Sequence, residues 1–160
     1  MVCQYLIVNF DMFFTRYHQQ LTASENYVTK RQSIKLLGEL LLDRQNSPVM
    51  TQYISKDEYL RKCMDALKDE RKMIKYEAFH VFKIFVANPD KSKDVFEILQ
   101  RTRKQLLLFL PNFLQDRTDD DQFTDEKSYI LKIIHAIPPK GGKGEDGLGQ
   151  VSSVRVGVGA

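Results

Sequence analysis

Apolar residues recur along this chain at the spacing of helices. In Tyr27–Arg44, YVTKRQSIKLLGELLLDR, the residues Val28, Ile34, Leu37, Leu40 and Leu41 fall near the i, i+3, i+4 positions of one stripe. Arg31, Lys35 and Glu39 stand four apart and form a charged ridge on another face. The pattern returns in Met73–Asn88, MIKYEAFHVFKIFVAN, where Phe79, Phe82, Phe85 and Val86 take the places of Ile34, Leu37, Leu40 and Leu41. Tyr76 then replaces Arg31, and His80 replaces Lys35. The two copies lie about 45 residues apart, inside the roughly 40–47-residue period of armadillo and HEAT repeats. The pattern predicts an all-α, armadillo/HEAT-like helical-repeat solenoid. In such folds the last helix of each unit lines a concave face that receives extended partners. Arg31, Lys35, Tyr76 and His80 are therefore candidates for a partner-binding groove, since basic residues beside aromatics anchor protein partners well. The same positions also read as ordinary exposed helix residues.

The remaining pattern predicts a helix from about Tyr5 to Leu21, with Leu6, Phe10, Phe13, Phe14 and Tyr17 on one broad face. That face needs a cover: upstream repeats, self-association or, failing both, a truncated chain. Ser24 is the expected N-cap of the helix at Tyr27. Pro48 suits the first turn of a short helix running through Tyr53. Ser55 with Glu58 predicts a capping box for a helix over Lys56–Leu67, and Asp69-Glu70 the start of the second long helix. A helix from Ser92 carries Val95, Phe96, Ile98 and Leu99, and a separate one carries Leu106–Leu110 before Pro111. Arg117–Glu126 reads as an acidic loop leading into a helix over Lys127–Ile137. Seven of the eight glycines lie beyond Lys140, which divides the chain into helical repeats over 1–137 and a disordered Gly-rich tail over 138–160.

Charge narrows the functional classes. A net charge of +3, with Glu39, Asp65 and Glu77 interrupting any basic stripe, argues against nucleic acid. No apolar run is long enough for a membrane span. The apolar start MVCQYLIVNF lacks the basic n-region and cleavage site of a signal peptide. Cys3 and Cys63 have no CxxC spacing and fit a reducing, cytoplasmic setting. His18, His80 and His135 are scattered and read as partly exposed helix residues, and Cys63 reads as a small packing residue. The acidic run Asp119–Asp121 with Asp125 and Glu126 lacks the glycine of a calcium-binding loop. The expectation is a non-enzymatic protein with no metal site and no cofactor.

The segments SENYVTKRQSIKLLGELLLDR, YEAFHVFKIFVANP and LQDRTDDDQFTDEKSY closely resemble the C-terminal part of the calcium-binding-protein-39 family of kinase scaffolds, without an apparent gap from about Phe10 to Ile134. The resemblance implies an armadillo-like adaptor that binds STE20-class kinases and pseudokinases and holds them in the closed, active conformation. In animals it implies a heterotrimer with the STE20-related adaptor pseudokinase and the master kinase that activates AMP-dependent kinase. In fungi it implies a polarity and cell-separation network acting through an Ndr-type kinase. It carries the groove arginine onto Arg31. It also implies a pocket for a Trp-Glu-Phe tail at Arg61 and Met64, with Arg44 and Arg101 nearby. The family usually has lysine where Arg61 and Arg101 stand, which keeps the charge and changes the geometry. The resemblance reaches only the C-terminal portion of the family, so the tail pocket is expected to be more complete than the groove.

Overall fold

The computed structural model describes residues 1–141, and all regular structure among them is helical. Eight α-helices follow one another: α1 (Val2–Val8), α2 (Phe10–Tyr17), α3 (Tyr27–Leu42), α4 (Ser47–Ile54), α5 (Asp57–Leu67), α6 (Lys72–Ala87), α7 (Lys93–Phe109) and α8 (Asp121–Ala136). They stack as a helical-repeat fold of the armadillo kind, with α3 and α6 side by side and α6 also packed on α5 and α8. The equivalence of α3 and α6 expected from their apolar stripes holds: Ile34, Leu37 and Leu41 are buried, as are Phe79, Phe82, Phe85 and Val86. Val28 departs from the stripe: at about 3.6 residues per turn it lies on the opposite side of α3 from Leu37, and it is 62% exposed. Gly38, the one glycine of the helical body, faces α6, with Val81 Cγ2 only 3.8 Å from where its Cβ would be. The expected tail, 138–160, lies outside the described residues from 142 onward.

Capping chemistry moves several helix ends away from their sequence-based positions. Asn9 leaves helical geometry and divides the first helix into α1 and α2. After Tyr17 the chain continues through a π-helical turn, His18–Thr22. Asn26, not Ser24, caps α3: its extended backbone lets Oδ1 accept from Thr29 N at 3.0 Å, while Ser24 Oγ accepts from Asn26 N. No capping box forms on α5, because Ser55 Oγ donates back to the Gln52 carbonyl and Lys56 occupies the cap position. Asp69 stays outside α6 and accepts from Arg71 N, Nε and Nη2, with Lys30 Nζ at 3.5 Å. These contacts hold its carboxyl well below the usual carboxylate range, despite the opposing effect of partial burial. Ser92 does cap α7, accepting from Val95 N. That helix then runs unbroken to Phe109, since no glycine or proline interrupts it before Pro111. Asp120 Oδ1 accepts from Phe123 N at 3.0 Å and starts α8 well ahead of Lys127.

The aromatic face of the first segment is not left bare. Phe10, Phe14 and Tyr17 are buried because α4 and α5 fold over them: Phe14 meets Tyr53 at 4.9 Å, and Tyr53 stacks on Tyr59 at 4.5 Å. The opposite side of α1 and α2 is the exposed one, carrying Val2, Tyr5, Val8 and Met12. His18 is likewise buried, contrary to a partly exposed reading. It stands four residues beyond Phe14 on the buried face of the helix, where Tyr53 OH lies 2.9 Å from Nε2 and Thr22 Oγ1 lies 2.8 Å from Nδ1. Burial, reinforced by the nearby Lys62 charge, lowers its pKa to about 4. At the other end of the chain, Leu114 adopts a left-handed backbone, φ 48°, with its side chain buried.

Candidate partner-binding surfaces

Arg31 and Lys35 stand four residues apart on α3, and Tyr76 and His80 four apart on α6, so each pair projects from one face of its helix. Because α3 and α6 lie side by side in matching register, all four border one hollow of about 350 Å³, floored by Ile34, Gly38 and Glu77. Tyr76 and His80 meet edge to face at 4.5 Å. The far rim comes from the approach to α8: the Arg117 guanidinium lies 3.7 Å from the Tyr76 ring centre, and Tyr76 OH donates to Asp120 Oδ2 at 3.3 Å. Lys83 Nζ donates to Glu126 Oε2 at 2.8 Å, with His80 Nδ1 at 4.0 Å from the same oxygen. Burial holds His80 below the ordinary histidine value, aided by Lys83 and opposed by Glu126, so it presents a neutral ring.

One polar group in this groove is not satisfied from within, and a second is buried beside it. Arg31 Nε is buried and has no hydrogen-bond partner among the described residues. Glu77 is 7% exposed, and burial raises its carboxyl above the usual value while Lys35 and Arg31 pull it back. A buried group left without a partner is costly unless a ligand completes it.

A second surface lies between α5 and α7. Arg61, Met64 and Arg101 border a hollow of about 200 Å³. Met64, Lys68 and Thr102 also border an adjoining apolar hollow of about 370 Å³, closed by Leu67, Leu106 and Phe109. The floor is apolar and adaptable, and the rim is basic. Arg61 Nη2 reaches Asp57 Oδ2 at 3.3 Å across exposed helix surface, a pair that a stronger ligand can displace. Arg44 is not brought to this surface; it lies exposed in the 3₁₀ turn between α3 and α4. Lys68 and Phe109 were not foreseen. Lys68 is four residues beyond Met64 on the same helix face, a signal the spacing does contain, whereas Phe109 depends on α7 continuing past Leu106.

Among the described residues, no three His, Cys, Asp or Glu side chains converge as metal ligands, and no helix is long and apolar enough to cross a membrane. Cys63 is buried with its thiol donating to the Ala78 carbonyl at 3.2 Å, and burial pushes its pKa up. It is a packing residue with a poorly nucleophilic thiol.

Residues 1–138 match the family described as Mo25-like. The conidiophore development protein hymA of Emericella nidulans is 59% identical over 138 residues, which cover 86% of this chain and 36% of that protein. Human calcium-binding protein 39-like is 52% identical over 137 residues, covering 86% of this chain and 40% of the relative. The Mo25-like protein of Schizosaccharomyces pombe is 52% identical over 136 residues, covering 85% and 41%. The chain thus spans about two fifths of the length of the curated relatives it matches.

Proposed function

Because this chain belongs to the Mo25-like family, we propose that it is a non-enzymatic cytoplasmic scaffold with two binding surfaces for a STE20-class kinase or pseudokinase. The α3–α6 groove docks the kinase domain through Arg31, Lys35, Tyr76 and His80. The α5–α7 surface takes a C-terminal Trp-Glu-Phe tail, with Met64 against the aromatic rings and Arg61 and Arg101 facing the glutamate and terminal carboxylate. Arg44 serves only as distant positive charge. The pathway served is one of polarity, morphogenesis or energy control, through an Ndr-type or AMP-dependent-kinase-activating complex.

The observation that carries this proposal is the joint occurrence of an apolar hollow and a basic rim at Met64, Arg61 and Arg101, on residues the family resemblance had singled out. The relatives extend well beyond the matched region, so this stretch of chain binds the tail but activates a kinase poorly when used alone.

The test uses the absence of tryptophan from the protein, which makes the peptide's indole the only one in solution. A peptide ending in Trp-Glu-Phe is titrated into the full chain and into Met64→Ala, following tryptophan emission. Saturable binding that weakens in the variant supports the assignment. No binding by folded wild-type chain refutes a tail pocket in this stretch, and strong kinase activation by the chain alone refutes the division of labour.

A further inference from the structure

A third cavity, of about 220 Å³, lies where α3, α5 and α6 meet the π-helical turn. Neither surface above uses it. Ile34 and Val81 wall it, and Ala66 and Ala78 contribute only methyl groups, which is what leaves the space. Most of its polar lining is already engaged: both His18 ring nitrogens are hydrogen-bonded, to Tyr53 OH and Thr22 Oγ1, and the Cys63 thiol is spent on the Ala78 carbonyl, which leaves the Tyr59 hydroxyl. The buried end of an occupant therefore meets mainly apolar surface. The inner end is aromatic, with His18 and Tyr59 rings 5.0 Å apart. A dry cavity of roughly 150 Å³ suffices for benzene, so this one suits a bicyclic ring.

The mouth has a different character. Lys30 is turned to Asp69. Asp65 also borders the α5–α7 hollow, with Arg61 and Lys68 on its own helix face. Lys62 is exposed at the mouth and has no ion-pair partner among the described residues. An apolar, ring-shaped interior beneath an uncommitted cation fits one ligand class. The π-helical turn that forms one wall is an independent pointer, since such turns are rare and concentrate at functional sites.

We propose that this cavity binds a small aromatic monocarboxylic acid, its ring among α3, α5 and α6 and its carboxylate at Lys62 Nζ. The assignment does not rest on the scaffold function.

The full chain is titrated with indole-3-acetate, indole and tryptamine, three ligands with one ring and opposite or no charge. Ligand fluorescence reports binding, because the protein has no tryptophan, and amide shifts of the 15N-labelled protein locate it. The expected result is a blue shift on binding, with the acid tightest at about 1 mM or below for a ligand of about 13 heavy atoms. Amides of Ile34, Ala78 and Val81 move. Lys62→Ala lowers the acid's affinity about fivefold, to that of indole, and leaves indole unchanged. Ala66→Leu fills the space and abolishes binding of all three. The proposal is overturned if those amides do not move for any wild-type titration, if shifts are confined to Thr102 and Gln105 beside the α5–α7 hollow, or if tryptamine binds as tightly as the acid. The wild-type map alone decides the matter should Ala66→Leu fail to fold.

Discussion

The α3–α6 groove and the α5–α7 surface differ in how their charged groups are held. In the groove, the charges sit over a buried carboxylate and a rim locked by Arg117, Asp120, Lys83 and Glu126. Each group's geometry depends on several others, and Arg31 Nε is left wanting a partner. On the α5–α7 surface, the arginines stand on exposed helix faces around an apolar floor, with only the weak Arg61–Asp57 pair between them. Under the proposed function, the groove serves as a preorganised polar template that selects a partner able to complete it. The other surface is an adaptable apolar seat with generic attraction for anions. Two surfaces on one short stack can thus divide selectivity from grip.

The strongest way to break this contrast is to remove what both surfaces share. Phe79 is fully buried and links the two: it neighbours His80 of the groove and packs on Phe123 at 5.1 Å and on Phe113 at 5.8 Å, and Phe113 meets Phe109 of the α5–α7 hollow at 5.5 Å. Phe79→Ala should cost about 3–5 kcal/mol in urea unfolding and abolish both surfaces together. Survival of one without the other would mean they are stabilised independently. Next in size is the effect of acid. His18 binds its proton near 6.5 when unfolded and near about 4 when folded. The stability it protects is fully present above 6.5 and is lost as pH falls toward about 4, by about 3 kcal/mol. Urea midpoints measured across that window should fall in wild type and stay flatter in His18→Gln.

A third experiment crosses the two surfaces. Met64→Ala should weaken tail-peptide binding about tenfold, or about 1.4 kcal/mol, and leave kinase-domain capture unchanged. Arg31→Ala should do the reverse, and equal loss of both activities in either variant would collapse the distinction. The smallest effect is a gain. The Gly38 site has its nearest neighbour at ordinary contact distance, so Gly38→Ala should raise stability by about 0.5–1 kcal/mol through helix propensity. Binding should persist, since a single methyl barely alters the groove floor.

The repeat and the groove were legible because helical periodicity fixes which residues share a face, and Arg31, Lys35, Tyr76 and His80 needed only α3 and α6 in register. Met64, Arg61 and Arg101 came from family resemblance, since nothing in spacing alone brings α5 against α7. Helix ends were less legible. Asn26 and Ser24 are equally good caps on paper, and the backbone at Asn26 decides between them. Ser55 with Glu58 has the letters of a capping box, yet Ser55 is taken by Gln52. His18 was missed although the spacing contained the signal: it stands four residues beyond Phe14 and eight beyond Phe10, on the helix face that both bury. The cover over Phe10 and Phe14 depends on long-range folding of α4 and α5, which no local pattern encodes.

Leu114 makes the groove rim answerable to the interior. Where the chain must turn left-handed, glycine is the inexpensive solution, and here a leucine does it with its side chain buried in the core. The turn carries backbone strain that burial of the Leu114 side chain offsets. Just beyond it, Asp116 pairs with Lys72, Arg117 covers Tyr76, and Asp120 starts α8. Loosened packing around Leu114 would therefore be felt at Arg117, Tyr76 and Asp120, so the rim of the α3–α6 hollow is coupled to the core beneath it.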